Sequence, residues 1–208
     1  MLTWAAVLVV AYLLGAIPTG VLAGKLLKGV DVRALGSGSS GATNVLRTFG
    51  VRVGVAVFAV DLAKGAAAAA VGQALLGTPA AVAAALAAIV GHNWPVYLRF
   101  RGGRGVTPFF GGLAVIHFPV ALVGGLMAFA IIAIFRYVSL GSIVGTLATG
   151  AIMALLFAGG WVRPELLAYA AVGGLLILFQ HRGNILRLLS GRERKLSRPG
   201  KAPPPEMG

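Results

Sequence analysis

The sequence predicts an all-α integral membrane protein, a seven-helix transmembrane bundle with its amino terminus outside and its carboxyl terminus in the cytoplasm. Of the 208 residues, 58% are hydrophobic and only 11% are charged, about half the charged fraction of a soluble domain. Apolar runs of about 20 residues, the length that crosses a bilayer, recur along the chain. When these runs are threaded through a membrane, all of the 18 Lys and Arg residues except Lys64 and Arg163 fall on one side, which is typical of the cytoplasmic side.

The candidate spans, in order, are residues 3–24, 51–77, 79–98, 104–117, 119–137, 140–158 and 163–181. The fourth is the shortest: about 14 residues at about 1.5 Å each reach only about 21 Å of a core about 30 Å thick. A re-entrant element buried in protein is therefore an alternative for this stretch. Charge favours a crossing, because with six crossings Arg136 and the basic carboxyl-terminal segment would face away from the earlier basic loops.

Residues 1–197 are predicted to form a single membrane domain, followed by a disordered tail over 198–208. The 31 glycines, many of them inside spans, indicate close helix packing through small faces. The absence of cysteine excludes disulfides, thiolate catalysis and Cys-based metal sites. A net charge of +13 would suggest nucleic acid in a soluble protein. No nucleic-acid-binding signature is found, however, so we expect no nucleic-acid partner and favour anionic substrates.

The first polar cluster on the basic side has the sequence GSGSSGATNVLR and starts at Gly36. It matches G-x-G-x-x-G through Gly36, Gly38 and Gly41, but no strand precedes it, and Asp61, 20 residues further on, lies in an apolar span. A dinucleotide-binding fold is therefore not expected. Backbone N–H groups freed by glycine can form an anion nest, and the hydroxyls and Arg47 add donors suited to phosphate. A flexible polar loop is the alternative.

The second cluster, GHNWPVYLRFRGGRGVT, starts at Gly91. Arg99 and Arg101 are typical of anchors facing anionic lipid. Arg104, flanked by glycines at the start of the next apolar stretch, instead predicts an anion site made by a helix amino terminus and a guanidinium. His92 lies about two turns inside its helix, where a packed, hydrogen-bonded role weighs as much as a role at the site.

Two further polar clusters follow on the same side. Ser139 and Ser142 lie three residues apart; Ser139 is interpreted as a helix cap, and Ser142 is better placed to contact a ligand. His181, Asn184 and Arg187 recur every three residues and form a polar stripe that continues from the last span. A stripe of side chains that reach from a helix end to the membrane surface is the alternative for these three.

Asp61 and Lys64 lie three residues apart inside the second span. Charges within membrane segments are a functional hypothesis by default. A structural i,i+3 ion pair that faces the bundle interior has equal weight here.

The clusters, in this order, resemble the acyl-phosphate:glycerol-3-phosphate acyltransferase family of bacterial membranes (PlsY). Residues 36–47, 91–105 and 181–193 are similar to the family's three motifs, and the resemblance covers essentially the whole chain. Two departures stand out. Ser39 occupies a position where the family usually has Asn, and Arg104 one where it usually has Lys, which is not a free exchange at a tight phosphate site.

The resemblance implies transfer of a fatty acyl group from acyl phosphate to the 1-hydroxyl of sn-glycerol 3-phosphate, which gives lysophosphatidic acid and phosphate for phospholipid synthesis. It implies a bacterial inner-membrane enzyme with its active site facing the cytoplasm, and it leaves the oligomeric state open. The partners are the two substrates and membrane lipid. No metal or cofactor is expected, because acyl phosphate already carries a good leaving group.

The residues that the resemblance places in catalysis are Ser37, Arg47, Arg104, His181 and Asn184. Those that it places in substrate binding are Gly36, Ser37, Gly38, Gly41, Thr43, Asn44, Arg47, His92, Gly103, Arg104, Gly105, Ser142, His181 and Asn184.

Two questions stay open at the level of sequence. The base that deprotonates the hydroxyl is either His181 or the phosphate dianion of glycerol 3-phosphate itself, and the phosphate is favoured. The alternative function is a transporter or flippase for an anionic metabolite, suggested by Asp61, Lys64 and the short fourth span. No inverted repeat supports that alternative.

Overall fold

The structure is a computed structural model that describes residues 1–196, and the tail predicted over 198–208 lies outside this range. The described residues are all-α, as predicted, and contain no strand. Two short 3-10 helices cover Val32–Ala34 and Val96–Leu98. The α-helices are α1 (Leu2–Ala16), α2 (Thr19–Lys28), α3 (Ala42–Phe49), α4 (Val51–Leu76), α5 (Thr78–Asn93), α6 (Val106–Ile116), α7 (Phe118–Phe135), α8 (Val138–Ala158), α9 (Pro164–Gln180) and α10 (Arg182–Leu189).

Five segments are long and apolar enough to cross a membrane. They are Leu2–Lys28, Val51–Leu76, Thr78–Leu98, Phe118–Phe135 and Val138–Ala158. Helices α9 and α10, bent by 62°, qualify together as a sixth. Helix α6 has only 11 residues, about 16 Å of helix, which is shorter than the fourth predicted span and well short of a bilayer core. The seven crossings and the orientation of the termini therefore remain predictions.

The first span is broken, which the sequence analysis did not predict. Helix α1 ends at Ala16 and α2 begins at Thr19. Pro18 lies in the gap, where its ring and its missing N–H prevent an uninterrupted helix. Beyond the interruption, Gly20 of α2 packs closely against Ser40 of the first polar loop.

Close helix packing through small residues is confirmed where α4 packs against α6 and where α5 packs against α1. A Cβ atom on Gly65 of α4 would lie 2.1 Å from the Pro108 carbonyl oxygen of α6, and one on Gly91 of α5 would lie 2.1 Å from the Tyr12 oxygen of α1. Nothing larger than glycine fits at either position, so the backbones approach closely.

The polar loops lie together at one end of the bundle. The Arg33 guanidinium donates to the carbonyls of Leu98 (3.3 Å) and Arg101 (3.4 Å), which joins the first loop to the second. Arg47 donates to the Arg194 carbonyl (3.0 Å) and so joins the first loop to the carboxyl-terminal segment. These contacts join residues that are 65 to 147 positions apart in sequence.

Candidate active site

A groove of about 470 Å³ opens at this end of the bundle, within the usual range for small-molecule sites. Its walls come from the first loop, the second loop and the junction of α9 with α10. It is lined by Ser37, Gly38, Ser39, Asn93, Trp94, Phe100, Arg101, Gly102, Gly103, Arg104, Gln180, Arg182, Gly183, Asn184 and Arg187. The lining contains four arginines and no carboxylate, so the groove is suited to anions.

The side chain of Asn44 holds the first loop in shape. Its Nδ2 lies within hydrogen-bond distance of the carbonyls of Val32 (3.0 Å), Leu35 (3.0 Å) and Ser39 (2.9 Å), and its Oδ1 accepts the N–H of Ser37 (2.9 Å). The residue is 1% exposed. Asn44 therefore organises the loop from behind and presents Ser37 to the groove.

Two glycines give this loop its turn. Gly36 and Gly38 have φ angles of 59° and 73°, a backbone region that residues other than glycine rarely adopt. A Cβ on Gly36 would also lie 2.3 Å from Oδ1 of Asn44. The N–H groups of Ser37, Gly38 and Gly41 are used in hydrogen bonds within the loop, so the anion nest predicted from the sequence stays a prediction.

The second loop is a tight turn fixed to the end of α5. Gly103 donates its N–H to the His92 carbonyl (2.9 Å), and Gly102 donates to the Asn93 carbonyl (3.1 Å). The next residue, Arg104, lines the groove. Its guanidinium donates no hydrogen bond to any residue within 1–196, so its donors are available to a ligand.

His181 is almost completely buried, with 1% of its surface exposed. Its Nδ1 lies 2.8 Å from the Ile177 carbonyl oxygen. Because a carbonyl can only accept, Nδ1 carries the proton, and Nε2 has a free lone pair whenever the ring is neutral. The residue sits at the bend between α9 and α10 and directly follows the groove-lining residue Gln180.

Glu193 of the carboxyl-terminal segment is held by side chains of α8 and α10. Its Oε1 accepts from Ser139 Oγ (2.8 Å) and Asn184 Nδ2 (2.7 Å), and its Oε2 accepts from Arg187 Nε (2.8 Å). Burial raises the pKa of Glu193, but the hydrogen bonds and the charge of Arg187 outweigh burial, so the pKa lies below its usual value. The carboxylate is therefore ionised at neutral pH and fixes Asn184 and Arg187.

Arg47 lies next to this carboxylate rather than on the groove surface. Burial lowers the pKa of Arg47, and the nearby Glu193 raises it; an arginine in this setting remains a cation at neutral pH. Its Nε is buried and has no partner within the described residues. Arg47 is thus a cation that does not line the groove, and its Nε donates to no residue within 1–196.

The structure brings part of the predicted site together at the groove surface. Of the predicted residues, those that line the groove are Ser37, Gly38, Gly103, Arg104 and Asn184. Asn44, Arg47 and His181 lie behind the wall, as described above. Gly36, Gly41 and Thr43 belong to the first loop and the start of α3, and Gly105 precedes α6, but none of these four lines the groove.

His92 and Ser142 lie further from the groove. His92 is 8% exposed and borders a separate, smaller cavity. Ser142 is 7% exposed within α8, one turn beyond Ser139. The interpretation of Ser139 as a helix cap is wrong, because its hydroxyl donates to Glu193 and makes no capping bond.

Sequence reasoning missed Glu193 and Ser139 as a contacting pair and did not include Arg187 in the site. The available signal was Glu193 itself, a lone carboxylate in a strongly basic segment, where it needs basic or hydroxyl partners. Asn93 and Gln180 also line the groove. No periodicity or motif distinguished them from their neighbours.

Fold and site together define an all-helical integral membrane protein with a basic groove at one end of its bundle. The family model "Glycerol-3-phosphate acyltransferase" matches residues 5–191 of the chain. A glycerol-3-phosphate acyltransferase 2 of Moorella thermoacetica is 46% identical over 194 residues, which cover 93% of this chain and 97% of that protein. A glycerol-3-phosphate acyltransferase 3 of Dehalococcoides mccartyi (strain CBDB1) is 42% identical and covers 92% and 94%, respectively.

Solved structures agree with these relatives. The crystal structure of PlsY (YgiH), an integral membrane glycerol 3-phosphate acyltransferase, matches in its glycerol 3-phosphate form with a TM-score of 0.87 and 39% identity. Its lysophosphatidic acid form matches with a TM-score of 0.85 and 38% identity. Each match covers 94% of this chain and 96% of the solved chain. The chain belongs to the glycerol-3-phosphate acyltransferase family.

Proposed function

We propose that the protein transfers a fatty acyl group from acyl phosphate to the 1-hydroxyl of sn-glycerol 3-phosphate, with lysophosphatidic acid and phosphate as products. The observation that carries the proposal is the groove, in which Ser37, Arg104, Asn184 and Arg187 from separate motifs lie around one space. Both substrates carry phosphate, which charge-assisted donors of this kind bind well.

The role that we propose for each residue follows from its position relative to the groove. Arg104, whose guanidinium has no acceptor among residues 1–196, stabilises negative charge that develops on the carbonyl and on the leaving phosphate. The hydroxyl of Ser37 and the amide of Asn184 hold phosphate oxygens and orient the acceptor. Arg47 and His181 support the groove from positions that do not line it, and Arg47 adds to its positive potential.

The acyl chain is proposed to leave the groove across apolar side chains at its rim. Phe100 is 59% exposed beside Trp94, whose ring lies 6.3 Å from that of Phe179. These aromatic surfaces connect a polar groove to the lipid-facing sides of α5 and α9. A lipid substrate with an anionic head would therefore keep its tail in the membrane.

The phosphate of the acceptor is the base that we favour. In the structure, Nδ1 of His181 is committed to Ile177, and the residue does not line the groove. His181→Gln is expected to raise KM for glycerol 3-phosphate and to lower kcat by less than about tenfold, because the imidazole supports binding. A fall in kcat beyond about 10²-fold at saturating substrate would instead make the imidazole the base.

We further propose seven crossings, with the groove in the cytoplasm of a bacterial inner membrane. Support comes from the basic loops, which all lie at the groove end, as cytoplasmic loops do. The chain has no cysteine, so single cysteines introduced at Arg99 and at Trp161 report topology cleanly. A membrane-impermeant maleimide should label position 161 from outside and position 99 only after permeabilisation.

The activity itself is tested with the purified protein in detergent, where transport has no meaning. Phosphate release and lysophosphatidic acid formation are measured with palmitoyl phosphate or palmitoyl-CoA as the donor and glycerol 3-phosphate as the acceptor. We expect turnover with palmitoyl phosphate and at most a few per cent of that rate with the thioester. Absence of product with both donors would contradict the proposed function.

A further inference from the structure

Asp61 and Lys64 form a buried ion pair on α4. Lys64 Nζ lies 2.9 Å from Asp61 Oδ1, and the two side chains are 4% and 3% exposed, respectively. Two further bonds satisfy the pair: Lys64 Nζ donates to the Ile17 carbonyl (3.0 Å), and Thr19 Oγ1 donates to Asp61 Oδ1 (3.0 Å). Removal of two charges from water costs free energy, and additional hydrogen bonds of this kind offset that cost. This confirms the i,i+3 pair and shows that each charge has a second partner.

Those second partners lie on both sides of the break in the first span. Ile17 follows the end of α1 and Thr19 begins α2, and carbonyls at a helix end lack their helical donors. Lys64 and Asp61 thus fix the chain before and after Pro18. The course of α2 then sets the first loop, because Gly20 packs so closely that a Cβ atom would lie 2.0 Å from the Ser40 carbonyl oxygen.

His92 extends the same network to the second loop. Its Nδ1 lies 3.8 Å from Asp61 Oδ1, too long for a hydrogen bond but close enough for an electrostatic contact. On its other side, Nε2 abuts Gly103, where a Cβ atom would lie 2.0 Å away. The imidazole is therefore wedged between the ion pair and the turn that precedes Arg104.

The pair itself has no access to substrate. It lines a cavity of only about 10 Å³ together with Thr19, Ser40 and His92, room for about one water molecule. Neither Asp61 nor Lys64 lines the groove. A phosphorylated metabolite does not fit between these charges, and the cavity gives no support to a transport site there.

We propose that Asp61 and Lys64 are positioning residues for acyl transfer, a role that rests on the proposed acyltransferase activity. The pair holds the break in the first span and His92, and through them it sets the first loop, which carries Ser37, against the turn that carries Arg104. Both loops line the groove, and one buried network contacts the support of each. Without the network both loops still form, but Ser37 and Arg104 are no longer held at the correct positions relative to each other.

The test compares Asp61→Asn, Lys64→Met and the double variant D61N/K64M in detergent. Each single change leaves one buried charge without its partner and is expected to lower Tm. The double variant removes both charges, so its Tm should return to within a few degrees of wild type. Its kcat at saturating substrates should nevertheless stay about tenfold or more below wild type, with KM changed less, because misplaced groups slow the reaction itself.

Met153→Ala is the matched control for destabilisation alone. Met153 is fully buried in α8, away from both loops, so its truncation lowers Tm through a cavity. Its kcat per folded enzyme should equal that of wild type. If D61N/K64M regains wild-type kcat together with its Tm, the pair serves folding only and the proposal is overturned.

Thr19→Val keeps the proposal testable should the double variant fail to fold. This change removes the hydroxyl bond to Asp61 and leaves both charges in place. A fall in kcat of about threefold or more at unchanged Tm supports the positioning role, and an unchanged kcat contradicts it. Wild-type protein that shows no turnover with palmitoyl phosphate would instead overturn the proposed function, so the two failures are distinct.

Discussion

Replacement of Arg104 by alanine is expected to lower kcat/KM for glycerol 3-phosphate by about 10³-fold, equivalent to about 4 kcal/mol of transition-state stabilisation. Arg104 lines the groove, follows a turn fixed to α5 by two backbone hydrogen bonds, and has no hydrogen-bond acceptor within residues 1–196. Such a preorganised cation acts on charge that develops during acyl transfer, and its removal mainly affects the chemical step. Steady-state kinetics with palmitoyl phosphate measures the effect.

Two further variants separate charge from geometry. Arg104→Lys keeps the positive charge but replaces a planar fork with a point charge, so a loss of about tenfold is expected, well short of the alanine variant. Arg99→Ala removes an exposed arginine of the same segment that does not line the groove, and it should retain activity within about twofold. Alanine at 104 with activity above a tenth of wild type would remove Arg104 from the proposed chemistry.

Much of the fold followed from hydropathy and charge, because a bilayer restricts the chain more strongly than water does. Apolar length located the helices to within a few residues, and the basic loops indicated which ends lie together. The break at Pro18 was not foreseen, since proline inside a membrane helix can also produce only a kink. In the broken span, Lys64 Nζ supplies a donor to the Ile17 carbonyl. That contact joins residues 47 positions apart, and no local pattern carries it.

The site shows the same limit. The sequence motifs identified the residues of the loops. They did not show which of these side chains face a ligand and which support the loop. Asn44 resembles a binding residue in sequence, yet its amide bonds the loop that contains Ser37 and the segment just before that loop. Glu193 reaches Ser139 across 54 positions. Such assignments depend on how the loops fold against one another, which spacing along the chain does not encode.

The turn before Arg104 is a place where a single added methyl group should strongly reduce activity. Gly103→Ala would place Cβ 2.0 Å from Nε2 of His92 and 2.8 Å from two of its ring carbons. His92 is 8% exposed, and Asp61 lies on its other side, so the imidazole has little room to retreat. The turn must move instead and shift Arg104, and a displacement of about 1 Å at a reacting centre can cost about 10²-fold in rate. We therefore expect kcat/KM to fall by about 10²-fold.

Gly150→Ala is the matched control, because a Cβ there meets no atom within 4 Å and the residue lies inside α8. Alanine favours a helix over glycine by about 0.8–1 kcal/mol, so this variant should keep full activity and a Tm equal to or above that of wild type. The steric cause is tested by the double variant H92A/G103A, in which the smaller side chain makes room for the methyl group. If the clash with the imidazole is what displaces Arg104, the loss in the double variant is smaller than the sum of the two single losses. Strict additivity, or a Gly103→Ala enzyme within threefold of wild type, would show that the turn adjusts without moving the guanidinium.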